Sequence, residues 1–334
     1  MRQSIFPQGG VFYKANLHCH TVISDGRLTA AEVKEAYLAA GYAAVAFTDH
    51  EVLIPHDELT DERFIALHGL ETAVKERPAE NTGAFQKVYH LNLLAREREN
   101  TTQPYVYVEN MTPGNCRSYL SQISYNEELV YEQTVEGVND LIRRANEAGF
   151  LVTLNHPAWS MMPAEKYLEL SGLHGVEVFN TACFAHGDHT GQPLGEFLRR
   201  GKRLLPVGGD DNHNVHGFAD SFGSFTMLCA REFSYSGLME AYANGWCYAS
   251  NGPEIYDIWI EGDTVGISCS PVTRITLLSE GRHVQKKTGS DLREASFTIA
   301  PDKTGAFVRL EVTDTHGRCA ISRGLFLDEW EGLN

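Results

Sequence analysis

His18 and His20 flank a single cysteine at the end of an apolar run, in the stretch ANLHCHTVISDG of residues 15–26. In an extended chain, residues two apart project from the same face. The two imidazoles therefore reach out together, and Cys19 turns away into packing. Paired imidazoles at a strand end suit a metal ion better than a hydrophobic core. Residues of the same chemical type recur after the later apolar runs: Asp49 and His50 in TDH, Glu71 in GLE, His90 in VYHLNLL, His156 in NHP, and Asp210, Asp211 and His213 in GGDDNH. Asp25 stands before Gly26, a common turn pair that also offers a carboxylate.

A mixed imidazole and carboxylate set without thiolates suits Zn²⁺, Mn²⁺ or Fe²⁺ and does not choose among them. A carboxylate between two cations allows a separation of about 3.5–4 Å, at which a shared water ionises near neutral pH. The cations also draw charge from a phosphoryl or carbonyl oxygen, so no Ser or Cys nucleophile is required. Asp49 and Asp210 read as hydrogen-bond partners of their ligand neighbours or as strand-end caps. Asn180, ending GVEVFN, reads as a mouth residue or as a plain strand end. His186 and His189 in CFAHGDHTG are open to substrate or to nothing, and the other histidines read as surface or structural.

Such side chains need elements to carry them. Short apolar runs alternate with longer amphipathic stretches, the pattern of βα units and a parallel sheet. Strands are expected over residues 11–17, 43–48, 150–155, 175–180 and 203–208, with two more in RFIALHG and KVYHLNLL. Thr29 with Glu32 forms a capping box that opens a helix ended by Gly41. Residues 134–148 form another helix, stopped by Gly149, and shorter helices fall around 194–200 and 236–244. From about residue 253 the chain changes to short period-2 runs separated by Gly, Asp, Pro and Ser, the mark of a small antiparallel β unit. The chain thus divides into residues 1–252, which hold every candidate ligand, and a β-rich appendage over 253–334. His283 and His316, the only histidines of the appendage, sit in no ligand spacing. A part in shaping the substrate entrance or in homo-oligomer formation is left to it.

With 334 residues the chain has room for one barrel-sized α/β domain and a small addition. The N-terminus lacks the apolar core of a secretory leader, and no apolar run approaches membrane-spanning length, so cytoplasm is the default expectation. The 7 dispersed cysteines form no CxxC and read as reduced thiols. A formal net charge of −16 works against nucleic acid and acidic membranes as partners. No basic cluster adjoins the motifs, which leaves recognition of a phosphate mainly to the metals.

Taken in order, HxH (18–20), SDG (24–26), TDH (48–50), Glu71, His90, His-Pro (156–157) and DxH (211–213) resemble the successive motifs of the PHP (polymerase and histidinol phosphatase) superfamily. The resemblance spans roughly residues 11–252 and rests on the order and strand-end placement of motifs that are individually short. It implies a distorted seven-stranded (β/α)7 barrel with two or three divalent metals at its mouth. By that resemblance His18 and His20 would bind one metal with Glu71 and Asp211. Glu71 would bridge to a second held by His90 and His156, and Asp25, His50 and His213 would hold a third. Glu71, Asp211 and His213 are the candidate catalytic residues. The implied activity is hydrolysis of a small phosphomonoester or phosphodiester. Hydrolysis of a carbamate, amide or carboxylic ester on the same metals is the enzymatic alternative. A metal-binding regulatory module without turnover is the non-enzymatic one.

Overall fold

The computed structural model describes residues 2–76, 86–112, 114–185 and 193–330. After a two-residue strand at Gln3–Ser4, the strand β1 (Val11–Asn16) becomes fully buried at Ala15 and Asn16, shortly before the HxH motif. It pairs in parallel with β2 (Ala44–Phe47), and β2 in parallel with β3 (Ile65–Lys75). Between β1 and β2 lies α1 (Ala30–Ala39), where Thr29 accepts from the Glu32 amide and the Glu32 carboxylate accepts from the Thr29 amide. This reciprocal cap satisfies amides that would otherwise lack a partner at the helix start. Gly41 follows with φ of +80°, a left-handed conformation that costs glycine little. The helix buries Val33 and Tyr37. The Tyr37 hydroxyl lies 2.8 Å from both Asp210 and Asn212, so helix packing reaches the loop that carries Asp211.

From β3 onward the expected uniform βα repeat is not what forms. β4 (Val88–Ala95) is antiparallel to β3 on one side and to β5 (Phe150–Leu154) on the other. Parallel neighbours need a crossover of a dozen or more residues, usually helical, and residues 76–87 between β3 and β4 stand at that lower limit. Parallel pairing resumes where α2 (Val135–Glu147) precedes β5, and β5 then pairs with β6 (Gly175–Asn180) and β6 with β7 (Leu205–Gly209). α2 starts on its Thr134 cap and packs Val138, Leu141, Ile142 and Ala145 into the main hydrophobic cluster with Phe150, Val152 and Val176.

The expected distorted (β/α)7 barrel does not close: among the described residues β7 makes no ladder with β1. The free edge of β1 is taken instead by the antiparallel strand β8 (Phe225–Ala230), in register from Thr226 opposite Ala15 to Ala230 opposite Val11. β7 meets this pair only through isolated contacts. The Gly208 amide donates to Thr226 Oγ1, which donates back to the Gly208 carbonyl, both at 2.9 Å. One step further a single parallel bridge joins Cys19 and Asn212.

After β8 a helix, α3 (Tyr235–Ala243), leads to β9 (Cys247–Ser250), and the strands β10 (Ile255–Glu261), β11 (Thr264–Ser279), β12 (Gln285–Thr298), β13 (Phe307–Thr313) and β14 (Cys319–Ser322) follow. β9 pairs with β8 on one side and β14 on the other, so these strands join the earlier ones in one open 16-stranded sheet. One hydrophobic cluster draws on both parts, including Val45, Phe225, Tyr248, Ile258, Val265 and Leu310. The seven cysteines are free thiols. No helix among the described residues is long and apolar enough to cross a membrane.

The seam at β7 depends on a glycine. A Cβ on Gly208 would stand 2.4 Å from the Phe225 carbonyl oxygen and 2.8 Å from its carbon. Both are backbone atoms of a paired strand and cannot swing aside. Gly208→Ala should therefore destabilise the fold by about 1–3 kcal/mol, the usual cost of overpacking, read as a lower urea midpoint with an unchanged slope.

Candidate metal centre

The side chains singled out converge, although Glu71 lies within β3 and not after its end, and His90 lies within β4. Glu71, on β3, is 1% exposed. Its Oε1 lies 3.3 Å from His18 Nε2, 3.1 Å from His90 Nδ1 and 3.6 Å from His156 Nε2. Its Oε2 lies 3.3 Å from His20 Nε2 and 3.1 Å from His50 Nδ1. One carboxylate thus has imidazoles on both of its oxygens. Asp211 closes the other side, with Oδ1 at 3.2 Å from His18 Nε2 and 3.1 Å from His20 Nε2.

Donor atoms lie within 4.8 Å of one another in the set His18, His20, Glu71 and Asp211, and likewise in Glu71, His90 and His156. A further set joins Asp25, His50 and His213, with His20 as an additional member. His20 therefore stands between two sets, its Nε2 toward Glu71 and Asp211 and its Nδ1 3.7 Å from Asp25. Asp25 also lies 3.6 Å from His50 Nε2 and 3.4 Å from His213 Nε2. It is at once a turn residue and a member of the cluster. The Gly26 amide donates to the Thr21 carbonyl, and a Cβ on Gly26 would meet the His20 carbonyl oxygen at 2.5 Å.

The HxH alternation holds as expected. His18 and His20 bring their Nε2 atoms within 3.2 Å of each other, while Cys19 is fully buried in the neighbouring hydrophobic cluster. Asp211 and His213 also face one site, but not through the extended backbone their spacing suggests. Asp211 has φ of +55°, Glu51 +61° and His156 +21°. Left-handed backbone at non-glycine residues is sparsely populated and concentrates at functional sites.

The supporting residues explain how so many polar groups stay buried. Asp49 accepts from the amides of Thr21 and Ser24 and from both their hydroxyls, which fixes the loop between His20 and Asp25. Asp210 accepts from the amides of Phe222, Gly223 and Ser224 and from the Tyr37 and Thr181 hydroxyls. Both act as loop anchors beside the site. Asn180 belongs to the site's support as well, donating to Glu177 Oε2 and Asp211 Oδ2. Asn155 donates to Glu71 Oε1 at 2.7 Å. His186 and His189 lie outside the described residues.

Sequence reading passed over Glu177. It is fully buried on β6, with Oε1 2.7 Å from His18 Nδ1 and Oε2 accepting from the His156 amide. The signal was present as a lone carboxylate in the middle of the apolar run GVEVFN. A carboxylate on Nδ1 fixes the ring orientation and leaves Nε2 facing the cluster.

The electrostatics suit a cation. Burial opposes protonation of His20, yet Asp211 and Glu71 outweigh it and push that imidazole up to about 10. Burial raises the Glu71 carboxyl, but the surrounding histidines, led by His90 and His18, hold it well below the usual carboxylate range. Raised protonation of His18, His20 and His156 thus offsets the carboxylates, a role a divalent ion would take over with proton release. Glu71 Oε2 is buried without a hydrogen-bond partner among the described residues, although two imidazole nitrogens are within reach. An orphaned oxygen facing ligand-type nitrogens fits a metal and does not fit a hydrogen-bonded polar core.

No protein-family model matches the chain, and no curated protein does. Among solved structures, it is similar to a two-domain protein of Bacteroides vulgatus containing a predicted PHP-like metal-dependent phosphoesterase, with 16% identity, a TM-score of 0.47, and 97% of this chain and 98% of that one covered. A protein of Bifidobacterium adolescentis provisionally named a metal-dependent phosphoesterase shares 19% identity, with a TM-score of 0.39, over 60% of this chain and 87% of that one. An amidohydrolase of Chromobacterium violaceum, solved with bound sulfate and no metal, shares 17% identity, with a TM-score of 0.41, over 62% and 90%. Likeness at this level supplies no residue roles.

Glu177→Gln keeps the shape of the side chain and removes its charge from His18. Metal affinity should fall by about 10–100-fold, as for other outer partners of metal-binding histidines, with thermal unfolding little changed. Competition against a chromogenic chelator measures it, and unaltered affinity would contradict the support role.

Proposed function

We propose that this chain is a metal-dependent hydrolase that releases phosphate from a small phosphomonoester or phosphodiester. The reading rests on Glu71, a buried carboxylate with imidazoles on both oxygens and one oxygen without a hydrogen bond. His18, His20, Glu71 and Asp211 would hold one divalent ion, and Glu71 with His90 and His156 a second. Asp25, His50 and His213 supply donors for a third, which would offset the extra charge of a phosphomonoester, a demand a carbamate does not make. Bound divalent ions supply Lewis acidity and lower the pKa of water.

The chain's own groups do the rest. Glu177 holds His18, and Asn155 holds Glu71, so the donor set is fixed before substrate arrives. Such preorganisation avoids reorienting dipoles during the reaction. His213 accepts no proton at Nδ1, which donates to the Asp211 carbonyl at 2.8 Å and leaves Nε2 toward Asp25. With Asp25 it is among the more exposed members of the cluster, at the mouth where a substrate oxygen would enter. The acidity of the chain and the lack of a basic cluster next to the motifs in the sequence support a small-molecule substrate in preference to nucleic acid.

Glu71→Gln tests the reading. The variant should keep its circular dichroism spectrum, bind less metal by elemental analysis, and lose more than the 10–100-fold in activity that is typical of an outer partner. Phosphate release from p-nitrophenyl phosphate and bis(p-nitrophenyl) phosphate is the assay. Full activity in Glu71→Gln would refute the assignment.

A further inference from the structure

The cluster opens on two sides, and the two sides differ in character. One cleft, of about 460 Å³, is bounded by Glu71, His90 and His156 at its base and by Trp159, Val215 and Phe218 on its wall. Trp159 follows the His156 loop, and its ring centroid lies 5.0 Å from His156 and 5.8 Å from His90. It is 43% exposed and Val215 is 42% exposed, so the wall presents apolar surface beside a buried polar cluster. An apolar wall of this kind marks a binding surface more often than it marks idle surface.

The other cleft, of about 310 Å³, shares Asp25, His50 and His90 with the first and is lined further by Lys75, Asn110 and Thr112. Lys75 stands on β3 with Glu71 and Ala73, and alternation puts all three side chains on one face. Ala73 sits opposite His90 in the ladder, and its small side chain leaves the space open. Neighbouring Glu51 turns its oxygens to the Ala73 amide, the Thr72 hydroxyl and the Asn110 amide group. Lys75 is the only lysine or arginine lining either cleft among the described residues. In a chain of net charge −16, a cation beside the cluster gives an anionic group a reason to settle there.

We infer that the substrate is two-armed: its anionic group lies over the His50–His90 side with Lys75 as a recognition residue, and a flat apolar substituent lies against Trp159. Resting on the phosphoester reading, this narrows the class to aryl or similarly planar phosphate esters and disfavours small aliphatic ones. Trp159 sets specificity through a ring face, and Lys75 adds charge that the sequence motifs lack.

Calorimetric titration of the metal-loaded full chain with phenylphosphonate and methylphosphonate, which no phosphoesterase cleaves, tests this apart from turnover. Phenylphosphonate should bind about tenfold more tightly, a factor worth about 1.4 kcal/mol. Trp159→Ala should abolish that preference and Trp159→Phe should retain it, with metal content checked in each variant. Lys75→Met should weaken both phosphonates by a similar factor. Equal affinities in the unaltered chain, or no effect of Lys75→Met, would overturn the inference even if phosphate release persists. If neither phosphonate binds and no phosphate ester is hydrolysed, the phosphoester reading itself fails, and the inference with it.

Discussion

A carboxylate buried without water is costly, by several kcal/mol per ion even after relaxation, and Glu71 is such a group. Its position is tolerable only because positive charge surrounds it, carried by protons on histidines or by cations that displace them. Every element around the site serves this constraint. β3 delivers Glu71 to the centre, β4 sets His90 against one oxygen, and the loop after β1 sets His20 against the other. Removing His18 or His20, whose imidazoles are pushed up by Asp211 and Glu71, would leave buried negative charge uncompensated.

That constraint explains the second layer of polar groups. Asp49 and Asp210 do not face the cluster's centre. They collect backbone amides and hydroxyls from the loops that hold Asp25 and Asp211. The loops lack regular structure, and Asp211 itself adopts a left-handed backbone, so hydrogen bonds must replace the rigidity that a strand would provide. Glu177 does the same for His18 from below. The cluster is thus supported by three buried, hydrogen-bonded carboxylates, which favours a precise donor set.

The open sheet follows from competition at one strand edge. β1 has a single free edge, and β8 fills it with an antiparallel ladder that continues into the C-terminal strands. β7 is left to lean on β8 through Gly208 and to touch the HxH segment through the Cys19–Asn212 bridge. Asp211 still reaches His18, because its amide donates to the His18 carbonyl at 2.9 Å. Site geometry is thus preserved at a seam where regular pairing is lost.

What the sequence determined by itself is local. Period-2 alternation turned His18 and His20 to one face and Cys19 to the other, the Thr29–Glu32 box opened α1, and Gly41 and Gly149 closed the helices on either side of the core strands. These outcomes depend on backbone geometry over a few residues, so they are readable from spacing. Most candidate ligands were legible too, as polar residues where apolar runs stop, while His90 stood out as an imidazole inside one. Tertiary structure decided what depends on partners distant in the chain. It made β4 antiparallel, left the sheet open, seated His20 between two donor sets, and brought Glu177 under His18 across 159 residues. It also put Lys75 and Trp159 in two different clefts of one cluster, though neither belongs to a motif. Strand pairing and edge occupancy are settled by competition among long-range contacts, and no local pattern records which strand wins.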